Sequence, residues 1–274
     1  MPELPEVETI VRELRPKLIG KKFWSVQGLL TSTFRPSLDV LMHDLPGHKI
    51  LDIQRRGKYI VFELDQKMNM IVHLRMSGRL LWKKPSQSEK HLRAIFNFSD
   101  GTSLYFVDTR KFGRIWLFHQ RDFLKETGMW KLGIEPFDPD FSLKKFHKLF
   151  GQRRGILKNT LLRQDIIAGI GNIYADEICF RSRLHPSSRL ETITPTDLKL
   201  LYESIRFCLE EGIRHNGASV SNFVGTRGTR GKQQHYLQVY GRKDDPCYVC
   251  LQPIQKTTAA GRGTFFCRKC QLKK

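Results

Sequence analysis

KILDIQRRGKYIVFEL, residues 49–64, decides how the fold is read. Apolar and polar residues alternate on one side of Arg55-Arg56-Gly57-Lys58, and β-branched and aromatic residues fill the other. The pattern predicts two short strands around a tight turn with a cationic tip. The same texture extends over residues 22–120, through MNMIVHLRMSGRLLW, HLRAIFNFSDGTSLYFVDT and KFGRIWLF. Asp100-Gly101 between apolar runs marks a hairpin. Strands at this spacing predict an antiparallel β-sandwich or barrel.

Upstream, Val7, Ile10, Val11, Leu14 and Leu18 form a helical stripe over residues 5–19. Pro5 suits the first turn, and Glu6 and Glu8 suit its positive dipole end. Gly20 is the stop. Downstream, residues 134–142, IEPFDPDFS, carry two prolines and no periodicity, and read as a linker. Helical patterns follow at 143–150, 155–165, 172–183 and 195–214, with Asn172 placed to cap the third after a glycine turn. Residues 216–232, NGASVSNFVGTRGTRGK, are polar, glycine-rich and basic. The expected class is therefore α+β. Residues 1–133 form the sandwich domain with its leading helix, 143–234 a helical domain, and 235–274 a cysteine-bearing finger.

Cys247-x2-Cys250-x16-Cys267-x2-Cys270 has the spacing of a paired-knuckle zinc site. Four thiolates would close the shell around one structural Zn2+ and leave no open position for water. Cys179 and Cys208 read as core residues in helical stretches. With 47 Lys and Arg against 27 Asp and Glu, the net charge is +20, a field that attracts polyanions. No apolar run reaches the ~20 residues of a membrane span. The acidic N-terminus has no signal-peptide pattern, so an intracellular protein is expected.

Helix physics does not account for Pro2 or Glu3. If Met1 is removed, Pro2 presents a secondary amine with an ordinary pKa near ~8, a useful nucleophile at neutral pH. Such an amine can attack a sugar's anomeric carbon and form an iminium ion, with Glu3 and Glu6 near enough to move protons. Read from spacing alone, the same residues also fit an inert terminus with solvated acids.

PELPEVET behind Met1, RRGKY at 55–59, HLRMSGR at 73–79, TRKFG at 109–113, GIGNIYADE at 169–177 and AGRGTFFC at 260–267 occur in this order. Together they resemble the bacterial formamidopyrimidine-DNA glycosylase family, base-excision enzymes that remove 8-oxoguanine and ring-opened purines. Leu4 matches this branch; the related endonuclease VIII branch usually begins Pro-Glu-Gly-Pro.

The resemblance implies a bifunctional glycosylase and lyase that works as a monomer on damaged duplex DNA in the bacterial cytoplasm. No redox or organic cofactor is implied. Pro2 would be the nucleophile, Glu3 the acid–base that helps open the sugar, and Glu6 a support. Lys58 would contact phosphate and assist elimination. A target base must be flipped from the duplex, and Met76, Arg110 and Phe112 match the family's void-filling trio. By themselves, Met76 and Phe112 also read as core residues. Family matches place His73, Lys158, Asn172, Tyr240, Lys256 and Arg262 on DNA, with Arg262 at a hairpin tip. They also make 143–234 a helix–two-turn–helix domain in which 216–232 closes over the extruded base. This loop is more basic than the family's pattern, and Arg163 stands where aspartate is frequent. Two rivals stay open: an oxidised-pyrimidine glycosylase of the endonuclease VIII type, and a zinc-bearing protein that binds lesions without cutting. A zinc-ribbon RNA binder has less support, because no aromatic RNA-binding signature is evident.

Overall fold

The computed structural model describes residues 1–86, 89–119, 123–259 and 261–274. The chain divides into two compact units, Met1–Trp130 with Ile213–Gln234, and Lys131–Gly212 with His235–Lys274. Among the described residues no helix is long and apolar enough to cross a membrane.

The first unit opens with helix α1 (Leu4–Leu18), whose Val7, Ile10, Leu14 and Leu18 are fully buried. Strand β1 (Phe23–Gly28), β2 (Phe34–Arg35), helix α2 (Leu38–Asp44), β3 (Ile50–Arg56), β4 (Tyr59–Leu64) and β5 (Met68–His73) follow. Then come β6 (Gly78–Leu81), β7 (Leu92–Phe98), β8 (Ser103–Asp108), β9 (Arg114–His119) and the short helix α3 (Phe123–Thr127). One sheet has the order β1-β7-β8-β6 and the other β2-β9-β5-β4-β3. Phe23, Phe96 and Phe106 of the first sheet share a core with Ile53, Phe62 and Ile115 of the second and with the apolar face of α1. The strand-on-strand expectation therefore holds, and among the described strands of these two sheets only the two-residue β2 pairs in parallel, with β9. The β3–β4 turn falls where the sequence places it, with Arg56 opposite Tyr59.

The second unit holds α4 (Leu143–Phe150), α5 (Leu157–Leu161), α6 (Asn172–Arg181) and most of α7 (Pro195–Arg214). It ends in the hairpin β10 (Gln255–Ala259) and β11 (Arg262–Phe266). Residues 134–142 pack more firmly than a linker would. Ile134 bridges Ile167, and Phe141 is 1% exposed, against the rings of Phe146 and Tyr202. Residues 213–234 were expected with the helices, yet they group with the first unit. The reason is local: backbone N–H groups of Ala218 and Thr226 find acceptors on carboxylates of α1.

Candidate active site

Helix α1 starts inside a capping box. The Glu3 N–H donates to Glu6 Oε2 at 2.8 Å, and Glu3 and Glu6 cap one another reciprocally. Both are almost fully buried. The other Glu6 oxygen, Oε1, accepts from the Ala218 N–H at 2.7 Å. Gly217 sits at φ +77°, and a Cβ there would come within 2.8 Å of Glu6 Cγ and 2.9 Å of the Phe223 ring. Only glycine lets the loop backbone come so close to this carboxylate.

Pro2 is buried beside these acids. The terminal amine of Met1 is held below its ordinary pKa, first by burial. Lys58 and Arg110 push in the same direction, while Glu3 and Glu6 oppose them. Amine, carboxylates, Lys58 and Arg110 thus share one electrostatic environment. Lys58 is brought there by the β3–β4 turn, where Gly57 takes φ +57°, and it is itself buried.

Two loops at the ends of β5 and β8 display the trio of the sequence reading. Met76 is 42% exposed and Phe112 46%, so neither is a core residue. The Arg110 guanidinium lies 5.0 Å from the Phe112 ring centroid. Arg75 and Lys111 adopt left-handed backbone, φ +51° and +61°, uncommon for residues with a side chain. What holds the loops is Asp108, which the sequence reading passed over. Its buried carboxylate accepts from the Ser77 hydroxyl at 2.5 Å, the Arg110 N–H at 3.2 Å and the Gly113 N–H at 2.8 Å. An aspartate closing an apolar strand just before TRKFG was the available signal.

His73 is buried at the end of β5, edge-on to Tyr59 at 4.5 Å. Its Nδ1 accepts the Arg75 N–H at 2.9 Å. Burial above all, then the charges of Arg75 and Lys58, lower its pKa to about 3. The ring is neutral at pH 7, with its proton on Nε2.

In the second unit, α6 begins at Asn172 with Gly171 as its N-cap. Asn172 is therefore inside the helix rather than capping it. Its Nδ2 donates to the Gly263 carbonyl at 2.9 Å, and its buried Oδ1 has no partner among the described residues. Lys158 departs from the DNA-contact expectation. It is 0% exposed, with Nζ 2.6 Å from Asp176 Oδ1 and 2.8 Å from the Thr264 hydroxyl. A charge so enclosed does not reach a phosphate; it ties α5 and α6 to β11. Burial raises the Asp176 carboxyl to about 7 against the pull of Lys158, and its Oδ2 accepts the Phe265 N–H at 2.9 Å. Buried Glu177 accepts the N–H groups of Gln238, Val239 and Tyr240 at 2.8–3.0 Å and so fixes the segment that carries Tyr240. Burial nevertheless raises its pKa. Both acids stand in GIGNIYADE, but sequence alone gave them no task.

Tyr240 packs edge-on against Phe265, and Lys256 Nζ lies 5.5 Å from that ring's centroid. Arg262 opens β11, exposed, beside Gly261 at φ +66°; residue 260 of AGRGTFFC lies outside the described residues. Arg163 pairs with Asp165 at the surface, and nothing else in the structure explains it. The sulfurs of Cys247, Cys250, Cys267 and Cys270 all lie within 4.8 Å of one another. The Cys250–Cys267 and Cys247–Cys270 separations, 3.4 and 3.9 Å, bracket the about 3.8 Å edge of a tetrahedral zinc–thiolate site. The donor set fits structural Zn2+, which these four residues would hold.

The profile described as the formamidopyrimidine-DNA glycosylase N-terminal domain matches residues 1–115, and that of the family's H2TH domain matches 132–224. The formamidopyrimidine-DNA glycosylase of Pelotomaculum thermopropionicum is 41% identical over 273 residues, 99% of either chain. The MutM (Fpg) protein of Thermus thermophilus superposes with a TM-score of 0.90 at 34% identity, over all of both chains. A Lactococcus lactis Fpg variant, solved with Fapy-dG containing DNA, gives 0.91 at 36% identity over 99% of this chain and 100% of its own. Helix, sheets, H2TH element and four-cysteine hairpin thus recur together along the full length, and the chain belongs to the formamidopyrimidine-DNA glycosylase family.

Proposed function

We propose that the protein excises oxidised purines, 8-oxoguanine and formamidopyrimidines, from duplex DNA and then cuts the strand. The flipped nucleotide is attacked at C1′ by the Pro2 amine, and the bond from C1′ to the base breaks. Glu3 gives a proton to the ring oxygen as the sugar opens to an iminium ion. The iminium acidifies the neighbouring C–H, so the 3′ and then the 5′ phosphate leave by β- and δ-elimination. A one-nucleotide gap results. Lys58 holds the adjoining phosphate and assists elimination. His73, Asn172, Tyr240, Lys256 and Arg262 bind the backbone. Met76, Arg110 and Phe112 fill the vacated stack, as apolar wedges do in kinked DNA. Residues 216–232 cover the extruded base.

The observation that carries this reading is the surroundings of the terminus: Pro2 is buried with Glu3, Glu6 and Lys58, and the amine of Met1, one residue earlier, is kept below its ordinary pKa there. An amine so placed is unprotonated more often at neutral pH, which a nucleophile needs. The substrate class is supported by the Fapy-dG DNA of the L. lactis complex. The test is borohydride trapping on a duplex with one 8-oxoguanine opposite cytosine, with mass mapping of the adduct. The expected adduct is on residue 2, and protein that retains Met1 forms none. Tight binding of the duplex by correctly processed protein, without any adduct, overturns the reading.

A further inference from the structure

Residues 216–232 are fastened to α1 twice, and the second fastening belongs to no part of the chemistry above. The first is Glu6, through the Ala218 N–H. The second is Glu13. Its Oε2 accepts the Thr226 N–H at 2.6 Å, and its Oε1 stands where a Cβ on Gly225 would lie, 2.7 Å away. Thr226 is 0% exposed. Its carbonyl accepts the Trp82 N–H at 2.7 Å just beyond β6, and its hydroxyl accepts from Lys17 Nζ at 3.4 Å. One loop residue is thus held by its N–H, carbonyl and side chain at once. The loop's own turn presents it: the Gly228 N–H donates to the Gly225 carbonyl, and the Gly225 N–H to the Thr229 carbonyl.

The spacing has a helical logic. Glu6 and Glu13 are seven residues apart, two turns within about 20°, and Lys17 is one turn further. They form a polar stripe beside the apolar stripe of Val7, Ile10, Leu14 and Leu18. The catalytic end of α1 and the loop's tip are therefore clamped to one rod. The tip also needs an acid. Arg227 next to Thr226 pushes down the pKa of Lys17, after burial, and Glu13 opposes that push. Without Glu13, two cations would face each other where the loop docks.

We infer that Glu13 is a positioning residue that latches the tip of the 216–232 loop onto α1 and so sets how well the loop covers a flipped base. This rests on the reading of the loop as the cover of the extruded base. An abasic site has no base to cover, so the latch matters for base release and not for cutting a strand that has already lost its base.

The experiment compares wild type, Glu13→Ala and Glu13→Gln on two duplexes, one with 8-oxoguanine and one with a preformed abasic site. Trypsin cleavage after Arg227 and Arg230 is followed in parallel, and thermal melting checks the fold. Glu13→Ala is expected to release 8-oxoguanine about tenfold more slowly, the worth of one charge-assisted hydrogen bond. It should cut the abasic duplex at the wild-type rate, and trypsin should open its loop faster. Glu13→Gln keeps an acceptor for the Thr226 N–H and should recover most of the loss. Unchanged base release and unchanged trypsin cleavage in Glu13→Ala overturn the latch, as does an equal loss on both duplexes. If wild type itself ignores 8-oxoguanine, the substrate reading fails; the trypsin comparison still decides whether Glu13 holds the loop.

Discussion

At His73 a base has been buried against cations, and that fixes both its protonation state and its cost. The folded ring titrates at about 3, while the unfolded chain takes up its proton near the ordinary 6.5. Below pH 6.5 the unfolded state therefore binds the extra proton, and stability is lost as the pH falls from there towards 3. At pH 5 the loss is about 2 kcal/mol. An asparagine can place its carbonyl oxygen where Nδ1 accepts the Arg75 N–H, and it does not titrate. Urea unfolding at pH 7 and pH 5 should show wild type losing about 2 kcal/mol more than His73→Asn; equal losses would mean that the ring is protonated in the fold. The same neutrality leaves Nε2–H as the only donor the side chain offers a phosphate. Its neighbours Lys58 and Arg75 carry the charge.

Among the elements, the clasp of α5 and α6 on β11 makes a sharper demand. Lys158 and Asp176 are both 0% exposed and 2.6 Å apart. Removing Asp176 strands the buried ammonium of Lys158, which costs about 3–5 kcal/mol, whereas replacing both with apolar side chains restores much of the stability. Asp176→Leu should lower the urea midpoint steeply, and Lys158→Met/Asp176→Leu should regain most of it. Additive losses in the double variant would show that the pair does not work as a unit. This clasp also marks where the sequence stopped being readable. Periodicity found α4 and α7 to the residue, and the β3–β4 turn came from one glycine between two strand patterns, because these are local signals. The family resemblance put Lys158 on DNA, and nothing in its own stretch of sequence marks it as buried. Its partners, Asp176 and Thr264, are 18 and 106 positions away, and only folding brings them near. The 213–234 segment misled for the same reason: its composition matched a free loop, while its anchors, Glu6 and Glu13, lie more than two hundred residues earlier. At the terminus, spacing alone left Pro2, Glu3 and Glu6 open to an inert end with solvated acids; the resemblance gave them roles, and the capping box that buries both acids shows only in the fold. Asp108 and Glu177 were not legible, because each serves backbone donors that have no sequence pattern.

Over the whole molecule, the charge is distributed less evenly than the +20 total suggests. Many acids are occupied internally or in pairs: Glu3, Glu6 and Glu13 on α1, Asp108 under the loops, Asp176 and Glu177 in the second unit. The exposed cations Arg110, Lys111, Arg227, Arg230, Lys232, Lys256 and Arg262 are left to set the outer field. A protein that neutralises Z phosphates releases counterions, so log K falls with log salt with a slope near −0.9Z. For six contacts, affinity for a duplex drops roughly a thousandfold between 50 and 200 mM salt. Fluorescence anisotropy across that range gives the slope directly. Arg262→Ala should reduce it by about one. The triple change Arg227→Ala, Arg230→Ala and Lys232→Ala should reduce it by up to about three if the loop's charges lie along the backbone. Wild-type slope in the triple variant would mean that these charges face away from the DNA. The basic character of the loop would then serve its own docking beside Glu13 and not the hold on the duplex.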